Sequence, residues 1–423
     1  MNVTNKKCEN AYDYLNSSPM FKFSLSSKEL FHSNFIEWLS NVDPERFKKM
    51  IEAMAGIKSY NWPDVWRVKR EYKNFDVCIV GYDKNKDNND PSIDDSKDFR
   101  ILFIIENKVK SIPYQEQLVK YTNKAVNIIG DVHYILLSLA KHFPGKTGRT
   151  TKWKLDNGTE WRICHYDAYK QLIETFYLKD KSIDAKTRLY IEDYCGLVNS
   201  LVVLSEEWFK NDWKGKDKFL YYSLSGKRRV FSYHYNKVRR LRIHDLYQKL
   251  KFSYLCTRLY EDVKKQYGGY TVFASNQGGL FKDNDQEGWG TDKKYICVNY
   301  TYMHGEPLLE INLHPECPEG KDEIYYAIQI QGDAYEHGIQ VKGRKSGKVW
   351  EELTDGSLKI IPNWMTVSGS VWSSMGPIDS KKPYNKYDDP NGTYVYQKCH
   401  LKGNETIDEV LDLMKNDLAL VAD

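Results

Sequence analysis

The chain has 423 residues, with 41% hydrophobic and 28% charged side chains. That length favours two domains over one, and the composition is that of a soluble globular protein rather than a disordered chain. The formal net charge is only +4, yet residues 210–251 hold eight lysines and five arginines against three aspartates, a local +10 that leaves −6 elsewhere. A basic segment in an otherwise acidic chain points to a polyanionic partner.

The first predicted helix opens at Ser26-Ser27-Lys28-Glu29, a capping-box pattern, and its apolar face is Phe31, Phe35, Trp38 and Leu39. Asp43-Pro44 starts a second helix that runs through Met54 and closes at Gly56. Three strands follow: Val65 to Tyr72, Phe75 to Tyr82, and Arg100 to Lys108. The last contains Ile101-Leu102-Phe103-Ile104-Ile105, an unbroken apolar run that fits a strand buried on both faces. The stretch from Asp83 to Asp98 is polar and reads as a hairpin loop. Its Asp83, Asn85, Asp87 and Asp94 mimic part of a calcium loop, but Asn88 stands where the turn needs glycine, so a solvated loop is the reading. A helix from Tyr114, strands at Val132–Leu139 and Trp161–His165, and helices at Tyr166–Phe176 and Ala185–Trp208 complete residues 1–208.

Past the basic segment, a long helix is expected from Asp245 to Tyr267, stopped by Gly268-Gly269. Short strands then dominate, and Thr406-Ile407-Asp408-Glu409 marks the cap of a final helix. The expectation is an α/β first domain (1–208) with a mixed sheet, followed by an α+β second domain (209–423) with an antiparallel sheet.

No apolar run approaches the roughly 18 residues that a membrane span needs, so no membrane partner is expected. The start of the chain lacks a hydrophobic signal core, which makes a cytoplasmic location the default. The eight cysteines are scattered without a C-x-x-C pair, which argues against a zinc ribbon or a disulfide framework. His314-Pro315-Glu316-Cys317 has no partner cluster and is assigned no metal.

The chemistry concentrates at the end of the third strand. Glu106 and Lys108 are two apart, so they project from one face of a strand. Asp76 begins the preceding strand, and in a hairpin the start of one strand lies beside the end of the next. Two carboxylates and a lysine suit divalent-metal phosphodiester hydrolysis: hard oxygen ligands hold Mg²⁺, and the lysine handles the nucleophile or the developing charge. A structural ion pair is the other reading of the same residues.

Phe75-Asp76-Val77, Glu106-Asn107-Lys108 and Gln117-Leu118-Val119-Lys120-Tyr121 together resemble the PD-(D/E)XK nuclease superfamily. The last element is similar to the Q-x-x-x-Y motif of its RecB and lambda-exonuclease branch. Glu29-Leu30-Phe31-His32-Ser33 is similar to the E-x-x-H-S helix of a bacterial subgroup. Phe75 stands where the name-giving proline would be. Over residues 20–175 the resemblance implies a restriction-endonuclease-like αβββαβ core. It implies Asp76 and Glu106 as Mg²⁺ (or Mn²⁺) ligands, with the Asn107 carbonyl as a further candidate. Glu29 would assist the metal, Lys108 would be the catalytic lysine, and Gln117 and Tyr121 would position the phosphate or the lysine.

DNA is the expected substrate. Lys227, Arg228, Arg229, Arg239, Arg240 and Arg242, interleaved with Phe231, Tyr233 and Tyr235, are candidate nucleic-acid contacts. The rival is a solvated linker between domains. The rival for the whole protein is a nucleic-acid-binding or interaction protein on a catalytically weak nuclease-like scaffold.

Overall fold

The computed structural model describes residues 3–24, 29–82, 100–109, 115–126, 131–141, 151–180, 182–212, 233–275, 294–303, 306–315, 324–332, 334–342, 344–355, 357–358, 385–389, 392–401 and 405–422. The chain forms two compact units. The first comprises Met1–Trp208 and Asn236–Leu250, the second Phe209–Tyr235 and Lys251–Asp423. One division falls after Trp208, and residues 236–250 group with the first unit.

The first unit opens with helices α1 (Val3–Ser17), α2 (Pro19–Phe23), α3 (Glu29–Val42) and α4 (Pro44–Ala55). Helices α1 and α2 went unpredicted. Asp43 caps α4 by accepting the backbone N–H groups of Glu45 and Arg46. Gly56 ends it at φ 68°, a left-handed conformation that glycine enters without a Cβ penalty.

Strands β1 (Val65–Tyr72), β2 (Phe75–Tyr82) and β3 (Arg100–Lys108) follow, at the bounds that alternation and the apolar run predict. Helix α5 is Gln115–Val126, and then come β4 (His133–Ser138), a short β5 (Lys152–Lys154) and β6 (Glu160–His165). The sheet order is β1-β2-β3-β4-β6-β5. Strands β1, β2 and β3 run antiparallel, β3, β4 and β6 run parallel, and β5 closes the edge antiparallel to β6. A parallel pair needs a crossover, and α5 lies in the chain between β3 and β4. The unit is thus mixed α/β.

Helix α6 (Tyr166–Ile173) runs into a π-helical turn at Glu174–Leu178, and α7 (Ala185–Asp212) follows. Tyr194 of α7 stacks on Phe35 of α3 at a centroid distance of 3.5 Å. Asp193 accepts from the Tyr14 hydroxyl at 3.0 Å and from the Met20 amide at 3.0 Å, which ties α7 to the N-terminal helices. Gly196 permits that approach, because a Cβ there would lie 2.1 Å from the Tyr14 ring.

Two faces of the sheet are told apart by neighbouring residues of β3. Asn107 bonds to α3 and to Tyr166 of α6, whereas Glu106 faces Gln117 of α5. Successive strand residues point to opposite faces. Helices α3 and α6 therefore cover one face, and α5 the other. The Ile101–Ile105 run between them is at most 1% exposed, as a doubly covered strand requires.

Helix α8 is Tyr233–Arg240, and α9, His244–Gln266, is shared by the two units. The second unit continues with β7 (Thr271–Ser275), β8 (Tyr295–Met303), β9 (Glu306–His314), β10 (Ile324–Gln331) and β11 (Ala334–Lys342). Helix α10 (Ser346–Asp355), β12 (Asn385–Asp389), β13 (Gly392–His400) and α11 (Ile407–Ala422) complete it. The sheet order is β12-β13-β11-β10-β9-β8-β7.

All pairs in this sheet are antiparallel except β7 with β8, which corrects the expectation of a purely antiparallel sheet. The chain between Ser275 and Tyr295 is long enough for the crossover that a parallel pair needs. Cys256 of α9 meets the Val298 carbonyl, and Asp417 of α11 accepts from the Tyr335 hydroxyl. Both helices therefore cover the same, apolar face. No described helix is long and apolar enough to cross a membrane. Six described cysteines are buried, none of them in a disulfide.

Candidate active site

The site is built on the paired ends of β2 and β3. Val77 pairs with Ile105, so one step further along the antiparallel ladder sets Asp76 beside Glu106. Asp76 Oδ2 accepts the Asn107 backbone N–H at 2.8 Å. That bond extends the ladder through a side chain and fixes the carboxylate at the strand end.

Glu106 is 1% exposed and Lys108 8%. Their side chains meet at 2.6 Å between Lys108 Nζ and Glu106 Oε1. Gln117 Nε2 stands 3.5 Å from the same Oε1 and donates to the Tyr121 hydroxyl at 3.0 Å. The one-turn spacing of Gln117 and Tyr121 on α5 puts both on its site-facing side. Glu106 Oε2, in contrast, is buried without a hydrogen-bond partner. A buried carboxylate oxygen left unpaired is expensive and calls for a ligand or a proton.

Electrostatics agree with that imbalance. Burial pushes Glu106 up to about 7 against the pull of Lys108, and Asp76 adds to the rise. Burial likewise raises Asp76, opposed by Lys108 and by the Asn107 amide. Burial disfavours the Lys108 ammonium, but Glu106, Glu29 and Asp76 outweigh it and carry its pKa above the ordinary lysine range. Lys108 is therefore a cation at neutral pH, held among three carboxylates.

Glu29 has a structural part at this site. Its Oε1 accepts the Val109 backbone N–H at 3.1 Å, and its carbonyl accepts from Asn107 Nδ2 at 2.9 Å. Among the described residues, no three His, Cys, Asp or Glu side chains are grouped closely enough to hold a metal ion. Glu29 clamps the end of β3 and lies near enough to act electrostatically on Asp76, Glu106 and Lys108. Its Ser26 cap lies outside the described residues. Asp76 and Glu106 stand side by side at the strand ends, and Glu106 has one buried oxygen without a hydrogen-bond partner. That donor set fits a Mg²⁺ ion, which is commonly held by one or two carboxylates and otherwise by water and phosphate.

Sequence reasoning overlooked the Asn107 side chain and Tyr166. Asn107 is fully buried. It donates to the Glu29 carbonyl and approaches Ser33 Oγ at 3.5 Å, while its Oδ1 accepts from the Tyr166 hydroxyl. Asn107 therefore joins β3 to α3 and α6 on the face opposite Glu106. The signal was a polar residue in an apolar strand, on the face away from the motif pair. His32 and Ser33 belong to this supporting layer: His32 Nδ1 lies 2.9 Å from the Tyr194 hydroxyl.

Of the basic candidates, Arg239, Arg240 and Arg242 are exposed, in or just after α8. Lys227, Arg228, Arg229 and Phe231 lie outside the described residues, as does the calcium-like loop at 83–98. His314 is a buried residue stacked on Tyr295 at 5.0 Å.

Neither protein-family models, nor curated proteins, nor solved structures yield a match to this chain.

Proposed function

We propose that the first unit is a metal-dependent nuclease that hydrolyses phosphodiester bonds in DNA, on a restriction-endonuclease-like αβββαβ core. The observation that carries this reading is Glu106: a buried carboxylate with one oxygen on Lys108 and the other unpaired, beside Asp76 across the ladder. Asp76 and Glu106 would hold Mg²⁺ or Mn²⁺. When bound, the ion supplies Lewis acidity and lowers the pKa of water. Lys108, cationic and anchored on Glu106, is placed to orient the nucleophile and to balance charge that develops on phosphate. Gln117, itself bonded to the Tyr121 hydroxyl, stands at one edge of the Glu106 carboxylate and so supports the position of the Lys108 ammonium. Glu29 and Asn107 fix the strand end that presents them.

The test is a cleavage assay on linear DNA, circular DNA and RNA, with and without Mg²⁺. Asp76→Asn, Glu106→Gln and Lys108→Met are each expected to lower cleavage by about a hundredfold or more, with circular dichroism unchanged. Undiminished Mg²⁺-dependent cleavage in all three variants would remove the proposal.

A second reading is favoured by one observation: among the described residues, no three His, Cys, Asp or Glu side chains are grouped closely enough to hold a metal ion. On that reading the unit binds nucleic acid with little catalysis. Calorimetry separates the two: salt-dependent DNA binding without Mg²⁺ or Mn²⁺ uptake supports the second.

A further inference from the structure

The sheet of the second unit has two unlike faces. One is apolar, with Val298, Ile311, Ile328 and Val395 all at most 1% exposed, and it receives α9 and α11. That face supplies a hydrophobic core without help from the other. On the opposite face, strand register aligns Asn299, Glu310, Gln329, Glu336 and Lys398 in one row across β8, β9, β10, β11 and β13. No hydrophobic logic places such a row in a protein interior, yet Asn299, Glu310 and Glu336 are 1%, 5% and 3% exposed.

Among the described residues the row holds an ion pair at one end only. Glu336 meets Lys398 Nζ at 3.0 Å and accepts from Gln329 Nε2 at 2.6 Å. Glu310 accepts from Asn299 Nδ2 at 3.1 Å and from the Asn312 side chain. Among the described residues no cation meets Glu310. The row thus carries two carboxylates and one ammonium, a deficit of one positive charge. Burial raises the pKa of Glu310, opposed by the hydrogen bonds from Asn312 and Asn299.

Three acceptor atoms at the same place have no partner. Asn299 Oδ1, Asn312 Oδ1 and the Tyr394 hydroxyl oxygen are buried and unpaired, and Asn312 as a whole is 2% exposed. Asn312 and Tyr394 share the face of the row by strand alternation. Tyr394 lies within electrostatic range of both Glu336 and Glu310. Its ring stacks on Tyr396 at 4.8 Å and lies over Gly338, where a Cβ would stand 2.8 Å from it. Ala327 and Gly338 are the small residues of the neighbouring register row, and it is over Gly338 that the Tyr394 ring lies.

We propose that this row is a binding site for a small organic cation, a guanidinium or a primary ammonium, seated against Glu310, Asn299 and Asn312 and faced by Tyr394. Such a group brings the missing charge and the N–H donors that the unpaired oxygens lack. Aromatic faces beside carboxylates are a recurrent setting for cations of this kind. A metal ion is the poorer fit, since among the described residues no three acidic, His or Cys side chains converge. The proposal concerns the second unit and is independent of the nuclease reading.

The test is titration calorimetry with thermal-shift measurement on the full chain. The probes are methylguanidinium and methylammonium chloride, with sodium chloride at matched ionic strength as control. Saturable binding of at least one probe is expected. Glu310→Gln, isosteric and uncharged, should weaken it at least tenfold. Lys398→Met, which enlarges the charge deficit, should tighten it. The two variants have opposite signs, so Lys398→Met decides the matter should Glu310→Gln fail to fold. The proposal is overturned by no saturable binding of either probe up to about 10 mM, by an equal response to sodium chloride, or by binding indifferent to Lys398→Met.

Discussion

His32 shows how a single buried side chain sets a pH dependence. It is fully buried, its Nε2 has no hydrogen-bond partner, and burial drives its pKa down to about 3. In the unfolded chain the same imidazole takes a proton near pH 6.5. A depressed pKa in the fold means that stability present above pH 6.5 is lost as pH falls toward 3. The slope attributable to this group reaches about 1.4 kcal/mol per pH unit. His32→Asn, which keeps an acceptor for Tyr194 but cannot titrate, is expected to flatten the fall of the urea midpoint between pH 6.5 and 5. An unchanged slope would assign the proton uptake to other groups. Glu106 carries the same lesson with the opposite sign. Its raised pKa adds stability to the ligand-free protein that is complete below the ordinary glutamate range and is lost as pH rises through about 7.

Among the elements, helix α11 is the one whose origin can be followed from sequence to packing. Thr406 Oγ1 accepts the Glu409 N–H at 3.2 Å while Glu409 Oε2 accepts the Thr406 N–H at 2.7 Å, a reciprocal capping box read directly from the chain. Ile407, Val410, Leu411, Met414 and Leu418 then repeat at helical spacing and are all buried. Thr406→Ala is expected to lower the stability of the second unit by about 1 kcal/mol, and Thr406→Ser to restore most of it. Chemical denaturation of the two variants checks this, and equal stability of wild type and Thr406→Ala would show the cap to be redundant. Strand β3 was equally legible, because an unbroken apolar run admits few other readings. Strands β5 and β12 and helices α1, α8 and α10 were not. They are short, or polar on most of their faces, and tertiary neighbours decide them rather than local pattern.

At the scale of the whole molecule, charge distribution carries the expectation. The +10 segment spans both units: α8 runs from one into the other, and the described arginines 239, 240 and 242 belong to the first. If they neutralise DNA phosphates, counterion release fixes the size of the effect at roughly 0.9 in the salt slope per contact. Replacing all three by alanine should make log K against log salt shallower by about 3, uniformly across DNA sequences. A slope that does not change would place the phosphate contacts elsewhere.

The sequence by itself determined the local facts: where β2 and β3 run, where α4 and α11 start, and that Glu106 and Lys108 share a face. Strand period and capping chemistry act over a few residues, so they are readable from a few residues. Only the tertiary structure decided that Glu29 clamps a strand end, that Asn107 is bound by two helices, and that one oxygen of Glu106 is left unpaired. It also decided that polar residues from five strands of the second unit form one row. Each of these depends on register and on which helix covers which face. Those are set by the sum of long-range packing, and a polar residue in an isolated strand does not reveal what will lie opposite it.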